Sequence, residues 1–136
     1  MVVYAREHLL GEIDSGAIRL NKYGQIVQQA WFDLPKHYPH AILDAFCIMP
    51  NHVHGIILLD DSARGRIKRY PLTEIVRAFK SFSARRINLA RKMHGTPVWQ
   101  RNYYEHILRN EMDHQAIHAY ILSNPLNWGN DDENQP

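Results

Sequence analysis

The stretch Met49-Pro50-Asn51-His52-Val53-His54-Gly55-Ile56-Ile57 holds the residues best suited to chemistry. Side chains alternate faces along a β-strand, so His52 and His54 project from one side about 7 Å apart at the backbone. Two imidazoles placed in this way can grip a single metal ion; the plainer alternative is a pair that tiles a polar sheet face. Nine histidines make other pairs inevitable, among them His37 with His40, His114 with His118 at helical i,i+4 spacing, and the loosely placed His94 and His106. A second constellation closes the chain. Tyr120 and Asn124 are four residues apart, which on a helix stacks a phenol and a carboxamide one turn apart on one face. The plainer alternative there is a core-edge tyrosine and an asparagine that ends the helix before Pro125, with Tyr103 and Tyr104 as rival nucleophiles.

Several common chemistries are missing from the sequence. It has no Gly-rich phosphate loop, no G-x-S-x-G elbow and no H-E-x-x-H, and its acids suggest no carboxylate triplet for a two-metal nuclease. Cys47 is the only cysteine, which rules out an intrachain disulfide framework and a multi-cysteine metal site, and its apolar surroundings point to core packing. No apolar run approaches the ~20 residues of a membrane helix and no signal peptide opens the chain, so the expectation is a soluble protein of the reducing cytoplasm.

The elements that must position these residues follow from hydrophobic period and punctuation. Asn21 is expected to cap a first helix whose stripe is Ile26, Val27, Ala30, Trp31 and Leu34, ending near Pro35. Ala41 to Met49 and His52 to Leu59 are β-branched and aromatic runs joined at Pro50 and Asn51, hence neighbouring antiparallel strands. Thr73 followed by Glu74 to Arg91 reads as a long helix with Ile75, Val76, Phe79, Phe82 and Ile87 inward. Val98 to Leu108 alternates as a strand, Asp113 to Asn124 reads as a last helix stopped by Pro125, and short early strands fit Met1 to Tyr4 and Glu12 to Leu20. This order predicts one α+β domain over residues 1–128, a ferredoxin-like two-layer sandwich whose central antiparallel sheet carries the histidine pair, with 129–136 as an acidic, frayed tail. The chain of 136 residues is long enough for one core without disulfides.

The formal charge of +2 conceals a strong asymmetry. Residues 64–92 hold ten of the sixteen Lys and Arg against the single acid Glu74, which gives that segment +9 and the remainder −7. A basic loop and helix on a small domain suits a polyanion, while the plainer alternative is a solvated helix face.

Four ordered stretches, M-P-N-H-V-H-G-I-I, L-T-E-I-V-R-A-F-K-S-F-S-A-R-R-I-N, V-W-Q-R-N-Y-Y-E-H-I-L-R and A-I-H-A-Y-I-L-S-N-P-L-N-W, together resemble the HUH single-strand transposases with one catalytic tyrosine, most of all the REP-associated tyrosine transposases. The resemblance covers roughly residues 6 to 129. It departs from the family at the start, where only Met1 to Ala5 stand in place of a longer first strand. The resemblance implies that His52 and His54 are the H-U-H pair holding Mg²⁺ or Mn²⁺, that Asn124 completes the metal site, and that Tyr120 is the nucleophile. It also implies cleavage and rejoining of single-stranded DNA at hairpins through a 5′-phosphotyrosine, without ATP. In that setting Arg77, Lys80, Arg85 and Arg86 are the expected phosphate contacts, and Tyr70, Trp99 or Tyr103 could stack bases. The family contains monomers and homodimers, which leaves open whether Tyr120 acts within its own chain. The competing expectation is a non-catalytic single-stranded nucleic-acid-binding module that kept the fold.

Overall fold

Pro50 and Asn51 interrupt a run of strand-forming residues, and the chain reverses there. In the computed structural model, which describes residues 1–60, 70–103, 105 and 107–130, β3 (Ala41–Met49) and β4 (His52–Leu59) pair antiparallel, with Met49 opposite His52 and Cys47 opposite His54. Both strands have the bounds expected from their sequence. The register shifts between Leu43 and Phe46, a β-bulge that re-aims the side chains of the intervening residues. A smaller antiparallel hairpin, β1 (Gly11–Asp14) with β2 (Ala17–Leu20), replaces the single early strand expected over Glu12 to Leu20. The fold is thus mixed α+β, with two small antiparallel sheets among the described residues.

Three helices flank the β3–β4 pair. Asn21 caps α1 (Lys22–His37), its side chain accepting from the amides of Tyr23 and Gly24. The helix ends near Pro35 as expected, two residues beyond it at His37, because a proline in the last turn removes only its own backbone hydrogen bond. Helix α2 (Leu72–Ala90) begins one residue ahead of Thr73, with Pro71 at the cap position. It buries Ile75, Phe79, Ser83 and Ile87, while Val76 and Phe82 are only half-buried. Helix α3 (Glu111–Ser123) ends where expected, although the chain carries on as a 3-10 helix through Pro125 to Asn130. Residues 61–69, Tyr104, His106 and 131–136 lie outside the described residues, and with them Arg64, Arg66, Lys68, Arg69 and most of the acidic tail.

The two faces of the β3–β4 pair bury different cores. On one, Ile48 and Val53 join Val27, Ala30, Trp31 and Leu34 of α1 and Ile75, Phe79 and Ile87 of α2. On the other, Cys47, Met49 and Ile56 meet Ile121 of α3. His52 and His54 share the parity of Ile56, so strand alternation points them at α3. The α1–α2 seam is closed by Arg86, whose guanidinium donates to Asp33 at 2.9 Å. Hydrogen bonds from Gln29 and Arg86 hold the Asp33 carboxyl down at about 2.

The strand expected over Val98 to Leu108 does not form among the described residues. Val98 and Trp99 are buried, and Val3 makes an isolated bridge to Trp99, but the ladder stops there. The Lys80 ammonium explains the end of pairing. It donates to the carbonyls of Gln100, Arg101 and Asn102 at 2.8, 3.1 and 3.3 Å, taking acceptors that a neighbouring strand would need.

Gly55 follows the histidine pair because Trp31 occupies the space a side chain would fill. The indole stacks on Phe46 with ring centroids 4.2 Å apart, and a Cβ on Gly55 would meet it at 2.7 Å. Gly55→Val is expected to destabilise the protein by about 1–3 kcal/mol, measured by urea unfolding, as overpacking of a filled core does.

Candidate active site

The turn that reverses β3 into β4 also fixes the chemistry of the first histidine. Asn51 is fully buried, and its Nδ2 donates to the carbonyl of Arg6 at 3.4 Å, so its Oδ1 faces the other way. That oxygen lies 2.8 Å from His52 Nδ1 and can only accept, so Nδ1 carries the proton and Nε2 presents a lone pair. Burial lowers the His52 pKa to about 3, with the neighbouring His54 adding to the effect and a hydrogen bond with Asn124 opposing it. His52 is only 2% exposed and is neutral throughout the physiological range.

Strand alternation brings the second ring beside the first: the His52 and His54 centroids are 4.7 Å apart, and Nε2 of each is shut off from solvent. Asn124, the residue that ends α3, is 3% exposed and sets its side chain within hydrogen-bonding reach of His52. Two imidazole nitrogens and a carboxamide oxygen are neutral donors that suit a divalent ion. Tyr120, one turn earlier on α3, sets its ring edge-on to His54 with centroids 5.8 Å apart and is 56% exposed. The structure therefore brings His52, His54, Tyr120 and Asn124 together.

Tyr103 is a weaker nucleophile by environment. Its hydroxyl is buried and burial raises its pKa, which disfavours the phenolate. Tyr104 lies outside the described residues. The four basic residues on α2 are placed unequally. Lys80 holds the carbonyls already described, Arg86 is bound to Asp33, and Arg77 pairs with Glu74 on its own helix. Arg85 is exposed, with a contact to Ser81 one turn back.

Sequence reasoning missed two residues of this site. Asn51 stands in the same M-P-N-H-V-H stretch as the histidines, and a carboxamide beside a candidate ligand was the available signal. Trp128 stacks near His52 with centroids 6.1 Å apart, a long-range contact that no local spacing reveals. Apart from these, the one group of three His or carboxylate side chains close enough to share an ion among the described residues is Asp44, His114 and His118.

The sequence comparisons agree with the geometry. The family model described as IS200-like transposase matches residues 21–124, and the chain belongs to that family. Among its relatives is a Haemophilus influenzae protein provisionally named a REP-associated tyrosine transposase, 32% identical over an alignment of 114 positions that covers 81% of this chain and 63% of the relative. Another, from the same organism and described only as uncharacterized, is 38% identical over 93% of this chain and 77% of its own length. No solved structure matches significantly. No helix among the described residues is long and apolar enough to cross a membrane.

The lowered pKa of His52 has a direct spectroscopic consequence. In metal-free protein its ring resonances are expected to stay fixed in an NMR titration from pH 8 down to 5, a range in which an ordinary histidine would take up most of its proton.

Proposed function

We propose that this transposase is a metal-dependent enzyme of the cytoplasm that cuts and rejoins single-stranded DNA at hairpins, with Tyr120 as nucleophile. The observation that carries the reading is the position of the exposed Tyr120 ring against His54, beside the buried His52, His54 and Asn124 donor atoms.

His52, His54 and Asn124 would hold Mg²⁺ or Mn²⁺, which when bound polarises a phosphate oxygen and draws charge from the phosphorus. Asn51 keeps His52 in the tautomer that offers Nε2, and burial keeps the ring neutral. The Tyr120 oxygen attacks the phosphorus as its proton leaves to solvent, to which the side chain is open. The bond from phosphorus to the 3′-oxygen breaks, and that oxygen takes up a proton. The products are a 5′-phosphotyrosine and a free 3′-hydroxyl. Attack by another 3′-hydroxyl reverses the step and rejoins DNA without ATP, because the phosphoester is retained throughout.

The basic face of α2 gives the strand a place to lie, with Arg77, Lys80, Arg85 and Arg86 as phosphate contacts. Lys80 and Arg86 also shape the fold, so Arg85 is the cleanest probe. Arg85→Ala is expected to reduce the salt slope of single-stranded DNA binding by about one unit, measured by fluorescence anisotropy over a range of salt, and unchanged affinity and slope would exclude the contact.

The nucleophile is tested by incubating the protein with single-stranded hairpin DNA and Mn²⁺ and running a denaturing gel. The unmodified protein is expected to form a covalent 5′-linked adduct. Tyr120→Phe should bind DNA with its usual affinity and form none. His52→Ala should lose the adduct as well, with partial rescue by excess Mn²⁺, whereas no metal concentration rescues Tyr120→Phe. An adduct at the normal rate from Tyr120→Phe would reject the assignment, and DNA binding without any adduct from the unmodified protein would leave a binding module.

A further inference from the structure

Helix α3 carries the candidate nucleophile, yet Ile121 is its single fully buried side chain. Its N-terminal half is held to the sheet by polar groups. His114 and His118 lie four residues apart and so share a helix face, which turns toward Asp44 of β3. Asp44 sits within the β-bulge between Leu43 and Phe46, the irregularity that frees its carboxylate to reach the helix. One carboxylate oxygen lies 2.5 Å from His114 Nε2 and the other 3.5 Å from His118 Nδ1.

We propose that Asp44, His114 and His118 form a second metal site, separate from the histidine pair on β4, in which a divalent transition ion such as Zn²⁺ clamps α3 to β3. Three donor atoms within 4.8 Å of one another stand close to the spacing of about 3.4 Å that a tetrahedral ion with bonds near 2.1 Å requires. All three side chains are partly exposed, so small rotations close the remaining gap without disturbing the core. Two imidazoles and one carboxylate make a donor set for zinc or its transition-metal neighbours; the hard, oxygen-seeking Mg²⁺ is poorly served by it. The remaining features fit the same ion. The cluster lines an open pocket, which leaves a fourth position for water. The Glu111 carboxylate lies 4.0 Å from His114 Nδ1, the ring nitrogen facing away from Asp44, and adds negative charge beside the cluster.

The site is independent of the strand-transfer reading, and its test does not use DNA. Chelator-stripped full-length protein is dialysed against Zn²⁺ alone, and bound metal is counted in the unmodified chain and in His114→Gln/His118→Gln. The expected result is a loss of about one equivalent of zinc in the double variant, whatever the β4 histidines bind. Zinc at about a hundredfold excess over Kd should raise the thermal midpoint of the unmodified protein by about 5–10 °C more than that of the double variant or of Asp44→Asn. Circular dichroism before metal addition checks that the variants fold, as replacement of partly exposed side chains should allow. Equal zinc stoichiometry and equal thermal response in the unmodified protein and the double variant would overturn the proposal.

Discussion

The turn at Pro50 and Asn51 ties the beginning of the chain to the candidate site. Val3 donates to the Asn51 carbonyl and Leu10 to that of Pro50, both at backbone hydrogen-bond distance, while the Asn51 side chain bridges Arg6 and His52. A single buried carboxamide thus joins the N-terminal segment, the hairpin turn and the protonation state of a catalytic candidate. Because Asn51 and His52 are both enclosed, loss of either partner would leave a polar group stranded in a low-dielectric interior.

The hairpin that follows separates two tasks by parity. Odd-numbered Val53 faces α1 and α2 with Ile48 across the strand, while His52, His54 and Ile56 face α3. A one-residue slip would exchange core for site, so the register is held by packing on both faces as well as by the ladder. Trp31, pressed over Gly55, closes the core side directly behind the histidines.

Much of this was legible in the sequence. The β3 and β4 bounds followed from two β-branched runs broken by Pro50-Asn51, and the start of α1 followed from Asn21, whose side chain does cap the helix. The His52–His54 and Tyr120–Asn124 spacings each put a pair on one face; that the two pairs meet was implied by the family resemblance and not by spacing, and the fold sets Tyr120 against His54. The failures were nonlocal. The alternation from Val98 onward is real, but Lys80, twenty residues earlier, takes the carbonyls a strand would have shared. Trp128 reaches His52 from the far end of the chain, and the Asp44 contacts to α3 depend on a bulge that no residue type announces.

The unequal burial of the three helices divides the molecule into parts that open at different cost. Helices α1 and α2 interlock through several fully buried side chains and the Arg86–Asp33 bridge, whereas α3 commits Ile121 alone to the interior. Local opening free energy scales with such buried contact, so α3 costs less to open than α1 or α2. The Tyr120 side chain thus stands on the helix bound least firmly of the three, while His52 and His54 are fixed in β4 beneath it.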